Sequence, residues 1–431
     1  MDPAIITLCV LGVAAFLFIT ELIPLAVTAM AACTALGILG VLPSKAVYAG
    51  MSNSTVVLFG GMFVIGAAMF KTGLAEAIGI AVVKKAGTNE IPLMAAIMTV
   101  TIILSAVSSN TGTVACLMPV IIGICTVAKL PASKQLMPLA IAANVGGTIT
   151  MIGTPPNVIV TGALTTAGLP TFGFFEFAWI GIPLSLVITI YTLFIGRHMI
   201  AAKSAGAMDE EAIKAAKEEA GASDDNAPKS KTKMWISGLI LIGVVLCMAL
   251  DLKTVPLHTA AVTGAILCVV TGCLKEKEAY AGIDWVTIFL FAGMLSVASA
   301  MEKTGAGKLI ADTVVSMMGT NPNPYVLTAV LFLISNVLTQ FMSNTASAAL
   351  LAPIGISIAQ NIGCDPKPVL MALGIAASCA FATPMATPPN TLVLGPGGFS
   401  FNDYAKVGVP MCVISLIVCL VVIPIVWPFG M

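Results

Sequence analysis

The chain has 431 residues, of which 58% are hydrophobic and 9% charged; soluble domains carry about 25% charged residues. With a mean hydropathy of +1.04, this excludes a soluble globular protein, a disordered chain and a nucleic-acid binder with a basic face. Twenty basic and twenty acidic residues cancel, and the basic set is 19 Lys with one Arg, Arg197, so any anion site must be built almost without guanidinium.

A membrane-crossing helix needs about 20 mostly apolar residues. Such segments occur near 4–20, 22–42, 55–70, 91–108, 112–128, 135–169 and 174–196. The first has no Lys or Arg ahead of it, as a cleaved signal peptide would need, so it reads as a retained membrane helix. Residues 71–88 form a mildly amphipathic arm suited to the membrane interface. A polar connector follows over 197–233, with a helical stretch expected at 210–220. Apolar segments resume near 234–250, 256–274, 285–301, 325–341, 346–361, 368–394 and 405–428. The sequence therefore predicts an all-α polytopic membrane protein.

The two lists match because the chain is duplicated. Pro24-Leu25 and Pro256-Leu257 lie 232 residues apart, as do Gly61-Met62 and Gly293-Met294, and Lys71-Thr72-Gly73 and Lys303-Thr304-Gly305. Ser109-Asn110-Thr111 recurs 234 residues on as Ser343-Asn344-Thr345, and Thr154-Pro155-Pro156-Asn157 recurs 233 on as Thr387-Pro388-Pro389-Asn390. This predicts a first repeat over 1–198, a connector over 199–233 and a second repeat over 234–431. Each repeat has a hairpin (about 91–128 and 325–361) and a broken helix (about 135–169 and 368–394). Both hairpin legs are long enough to cross, so length alone does not make them re-entrant. An odd number of crossings per half inverts the second repeat. With 199–233 in the cytoplasm and both termini outside, 15 basic residues fall inside and 5 outside, as the positive-inside rule requires.

Inverted repeats with interrupted apolar segments point to a secondary transporter whose site lies where the repeats meet. Unwound backbone survives at membrane depth only when buried in protein or lining a cavity. Paired prolines end a helix and free the carbonyls upstream. Those carbonyls, with Ser, Thr and Asn oxygens, suit a hard cation, and the following helix N-termini favour an anion. Hydroxyls and amides also serve as interhelical glue, but two pairs at matched spacing outweigh that reading. Asn53 lacks a partner in the other half and reads as a loop residue. Trp179, Trp235, Trp285 and Trp427 read as interfacial anchors. The eleven Cys, with no CxxC, read as small core residues.

The doubled Ser-Asn-Thr motif resembles that of the divalent anion/sodium symporter family, and the resemblance covers nearly the whole chain. It implies two inverted repeats, each with a re-entrant hairpin and a broken helix, a homodimer in the cell inner (plasma) membrane, and elevator-type alternating access. It further implies sodium-coupled import of a divalent anion, most simply a C4-dicarboxylate such as succinate, fumarate or malate, with two or more Na⁺ ions. Dicarboxylate exchange, or citrate or sulfate as substrate, is the alternative. By position, one Na⁺ site would use Ser105, Ser109, Asn110 and the Gly153 region. The other would use Thr339, the Met342 backbone, Asn344 and the Ala386 region. Carboxylate contacts map to Asn110, Thr111, Ser343, Asn344, Thr345, Thr387 and Pro388.

Other classes fit less well. A cation/proton antiporter would need a carboxylate at the midplane, yet 91–128, 136–175 and 325–364 contain no Asp or Glu. A channel would not need an oxygen-lined occluding site. No catalytic triad or metal cluster marks an enzyme.

Overall fold

A computed structural model describes residues 2–87, 89–204, 211, 230–250, 254–318 and 323–430. The expected connector helix over 210–220 and Lys253 lie outside the described residues. The described chain is helical, without strands.

The first half runs α1 (Pro3–Thr20), α2 (Leu25–Ile38), α3 (Ser44–Val47), α4 (Ser54–Lys71), α5 (Leu74–Ala86), α6 (Glu90–Ser105), α7 (Asn110–Ala128), α8 (Ser133–Gly146), α9 (Pro155–Thr166) and α10 (Ala178–Met199). The second half runs α11 (Lys231–Ala249), α12 (Leu257–Val270), α13 (Glu276–Ala281), α14 (Trp285–Thr304), α15 (Ala306–Met318), α16 (Pro324–Thr339), α17 (Asn344–Asn361), α18 (Pro366–Ser378), α19 (Pro388–Gly397) and α20 (Phe401–Val426). Element for element, the second series repeats the first. Seven of the described helices are long and apolar enough to cross a membrane.

The halves interlock by exchanging partners. Helix α2 packs on α14, and its counterpart α12 packs on α4. Both crossings need a glycine. A methyl group at Gly61 would stand 2.8 Å from the Ala261 carbonyl carbon, and one at Gly293 would stand 2.8 Å from that of Ala29. These are equivalent positions in equivalent crossings, so the duplication extends to the packing.

Helices α6 and α7, like α16 and α17, form the expected hairpins. Legs α6 and α16 have 16 residues each, about 24 Å at 1.5 Å per residue, which is short of the roughly 30 Å hydrocarbon core. They are shorter than their apolar segments because the chain unwinds at 106–109 and 340–343. The breaks fall where the paired prolines place them, between α8 and α9 at 147–154 and between α18 and α19 at 379–387. Proline at the first helical position costs nothing, because that N–H has no intrahelical partner.

Two surface expectations change. Trp179 and Trp235 are exposed, and Trp285 largely so, whereas Trp427 is 7% exposed and donates to Glu176. Trp427 is a packing residue, because the chain after α20 folds back and the Phe429 carbonyl accepts from the Asp365 N–H. Asn53 is a helix cap rather than a plain loop residue, a role it shares with Asp284, which stands one residue out of the 232-residue register. Each caps the helix that follows it, α4 and α14, by accepting a backbone N–H, from Thr55 at 2.8 Å and Thr287 at 3.0 Å.

Candidate functional site

The hairpin tips and the breaks of both halves meet at one cavity of about 330 Å³. Four helices begin on its wall: α7 at Ser109–Thr111, α9 at Thr154 and Pro155, α17 at Ser343–Thr345, and α19 at Thr387–Pro389. All four helix ends carry a positive partial charge, but only α7 and α17 offer N–H groups in the first turn, because Pro155-Pro156 and Pro388-Pro389 remove the first two donors of α9 and α19. Phe59, Met62, Phe63 and Phe70 of α4 make an apolar wall, and Asn144 adds an amide. No Lys, Arg or His lines this cavity among the described residues.

The tips are fastened to the breaks by the same bonds in each half. The Ser105 hydroxyl donates to the Ala143 carbonyl at 2.8 Å, and Thr339 donates to Ala377 at 2.8 Å. Thr150 donates to the Ala106 carbonyl, and Thr383 donates to Gln340 at 2.6 Å. Each Thr-Pro-Pro-Asn asparagine then reaches back across its own break. Asn157 Nδ2 donates to the carbonyls of Gly147 (3.2 Å) and Thr150 (2.8 Å), and Asn390 Nδ2 to those of Ala380 and Thr383 (both 2.9 Å). Carbonyls of both unwound breaks are thus held by side chains, as buried backbone requires. Asn144 Nδ2 donates to Asn390 Oδ1 at 3.0 Å and joins the two halves.

The first predicted cation set assembles in part. Ser105 Oγ meets Asn110 Oδ1. The planar Asn110 amide faces the Ala143 and Gly153 carbonyls, and with its nitrogen inward it would donate to them at 3.2 and 3.1 Å. With its oxygen inward, hydroxyl, amide and two carbonyl oxygens converge, a donor set that suits a hard cation. Gly147 is needed here, since a methyl group would stand 2.9 Å from both Asn110 amide atoms. Ser109 lines the cavity and caps α7, accepting the Gly112 N–H at 3.2 Å.

The second predicted set is looser. Thr339 is latched to Ala377, while Asn344 Oδ1 turns back to accept the Thr345 N–H at 2.9 Å. Thr339, Asn344 and Ala386 share no hydrogen bond among the described residues, and Met342 and Ala386 are buried. Asn110, Thr111, Ser343, Asn344, Thr345, Thr387 and Pro388 all line the cavity.

Thr154, Asn144 and Asp284 are wall residues outside the expected contact set, to which Thr387 belongs. Thr154 and Thr387 are equivalent, buried and cavity-lining, and neither hydroxyl has a partner. Asn144 Oδ1 is likewise buried without a partner. Thr154 was visible in the repeated motif; Asn144 carries no local signal. Asp284 also lines the cavity and is its one charged wall residue among those described.

The citrate transporter family profile matches residues 15–366 and 347–429 of this chain. An uncharacterized transporter of Haemophilus influenzae is 30% identical over 433 residues, covering 95% of this chain and 89% of its own. The sodium-dependent dicarboxylate transporter SdcS of Staphylococcus saprophyticus is 26% identical over 439 residues, covering 94% of this chain and 83% of its own. Among solved structures, the Alcanivorax borkumensis YdaH transporter superposes with a TM-score of 0.67 over 100% of both chains at 15% identity, a likeness of fold. With apolar helices fit to cross a bilayer, the chain is a membrane transporter and belongs to the citrate transporter family.

Proposed function

We propose that the protein imports a divalent anion, a C4-dicarboxylate such as succinate, fumarate or malate, coupled to two or more Na⁺ ions. The observation that carries this reading is the convergence of four helix N-termini on a cavity with no cationic side chain among the described residues. A dianion there has the N–H groups of α7 and α17, hydroxyls and the partial charges of all four helix ends for partners, and the Thr154 and Thr387 hydroxyls are ready to donate. Four partial charges of roughly half a unit offset two negative charges only in part once screening is counted, so bound cations complete the site. The oxygen set around Asn110 suits the first Na⁺, and the Thr339, Met342, Asn344 and Ala386 region suits the second. Binding of Na⁺ then orders the hairpin tips and creates the anion site.

Several features support an elevator-type movement. In our reading the repeats are inverted, the termini lie outside, and 199–233 is cytoplasmic at the inner (plasma) membrane. The cavity is bounded by the C-terminal half of α4, through Phe70, and by the N-terminus of α14. By the same topology this is the cytoplasmic side. Equivalent residues are used differently: Phe59 lines the cavity, whereas Phe291 packs against Gly162 of α9. This asymmetry fits one end state of a carrier whose other state exchanges the two roles. The exposed apolar faces of α1, α2, α11 and α12 suit a homodimer within the bilayer.

Purified protein in liposomes tests the reading. Labelled succinate uptake should follow an inward Na⁺ gradient and fall to background with K⁺ or choline. Equal uptake in all three overturns sodium coupling. A competition panel of citrate, sulfate and succinate identifies the anion, and displacement by citrate or sulfate alone overturns the dicarboxylate.

A further inference from the structure

A carboxylate on the wall of a dianion site calls for explanation. Asp284 is half-buried and lines the cavity beside Gly282 and Thr287, where no cationic side chain lies among the described residues. Capping α14 explains why a short polar acceptor stands there: its carboxylate accepts the N–H and the hydroxyl of Thr287. Asn would cap the Thr287 N–H as well as Asp; the second oxygen and the α14 helix end favour the carboxylate locally, and the charge they hold there faces the cavity. Asn53 caps α4 with a neutral amide. The corresponding helices α4 and α14 thus begin with a neutral cap in one repeat and with a charged cap on the cavity wall in the other.

We infer that Asp284 is a positioning residue that sets the direction of release. It raises the free energy of the dianion in the state open toward α13 and α14, so that substrate leaves more readily on that face. This rests on the proposed function, in which that face is cytoplasmic and the cargo is a dianion. While Na⁺ ions are bound, their charge screens the carboxylate from the anion. Once they depart, like charges share a cavity of about 330 Å³ and repel through a medium less polar than water. On the opposite face Asn53 imposes no such repulsion, so capture from outside stays tight while release inside is fast.

The test uses the full protein in right-side-out and inside-out membrane vesicles, with Na⁺ held below half-saturation on both sides, so that its sites are only partly filled, and labelled succinate exchange as the readout. D284N keeps an oxygen for the Thr287 N–H, turns the acceptor of the Thr287 hydroxyl into a donor nitrogen, and removes the charge. It should lower the half-saturating succinate concentration at the cytoplasmic face about fivefold to tenfold, as expected for one charge acting on a dianion across such a cavity. At the outer face it should shift less than about twofold. D284E, which keeps the charge, should track the unaltered protein. Choline chloride at about 1 M should move the unaltered protein toward the D284N value by screening. An unchanged cytoplasmic half-saturation in folded D284N overturns the inference, and so does an equal shift at both faces. Absence of sodium-dependent exchange by the unaltered protein would overturn the proposed function, and this inference with it.

Discussion

The two breaks share their latches and differ in their wiring. In both halves a hydroxyl on the hairpin holds the end of the broken helix, a threonine of the break holds the hairpin tip, and an asparagine straps the loop. Around that shared frame the second half adds amides. Asn336 Nδ2 donates to the carbonyls of Ala376 (3.1 Å) and Cys379 (2.9 Å), Gln340 Nε2 donates to Cys379 (3.3 Å), and Gln340 Oε1 accepts the Ala382 N–H (2.9 Å). The corresponding positions in the first half, 234 residues earlier, are Ile102 and Ala106, which supply no side-chain donor. There the Ala143 and Gly153 carbonyls face the Asn110 amide instead. The second break is therefore satisfied by the protein itself. At the first, the Ala143 carbonyl accepts from Ser105, and the Asn110 amide alone faces the Ala143 and Gly153 carbonyls; in the proposed reading an ion gathers these oxygens, so order at the first break should depend on Na⁺ more than order at the second.

The largest expected effect tests that difference directly. Asn110→Ala and Asn344→Ala should each reduce succinate uptake about 100-fold or more, since each removes an amide from a site where unpaired polar groups are costly. They should separate in a thermal-shift assay. Na⁺ over choline should raise the melting temperature of the unaltered protein. Asn110→Ala should lose most of that rise, and Asn344→Ala should keep part of it. Identical behaviour of the two variants would erase the proposed division between the breaks.

A smaller effect concerns the straps. Asn390 makes three side-chain hydrogen bonds, including the one from Asn144, whereas Asn157 makes two and leaves Oδ1 without a partner. At about 1 kcal/mol net per bond, and more where a buried carbonyl is stranded, Asn390→Ala should cost about 3 to 5 kcal/mol and Asn157→Ala about 2 to 3. Denaturation in detergent should show the larger fall for Asn390→Ala, and the reverse order would refute the assignment. The smallest effect tests the symmetry itself. Gly61→Ala and Gly293→Ala each push a methyl group toward backbone at 2.8 Å, so each should cost about 1 to 3 kcal/mol. The two losses should agree within about 0.5 kcal/mol, and a large disparity would show that the crossings are not equivalent.

Much of this was legible in the residues. Apolar length placed the helices, because the cost of leaving a polar backbone unpaired in lipid acts on each segment by itself. The paired prolines placed both breaks to within a few residues, because they exclude an intrahelical N–H wherever they occur. The repeat offsets anticipated the order of elements and which islands would meet. Other features were not legible. Nothing near Ile102 or Gln340 announces that one break is wired and the other open, since the bonds of Gln340 to Cys379 and Ala382 span about 40 residues. Asn144 looks like an ordinary helix residue until it meets Asn390, 246 positions away. Asp284 stands more than 50 residues from either island of its half, and only folding brings it to their cavity.

The sequence by itself determined that the chain crosses a membrane, that it is built twice, and that polar interruptions recur at matched depths. These follow from local transfer energies and backbone chemistry. The tertiary structure alone decided which carbonyls remain free, which hydroxyls point into the cavity, and which half carries the charge on its wall. Those depend on partners supplied by distant parts of the chain, and the interlocking of α2 with α14 and α12 with α4 is what brings the partners together.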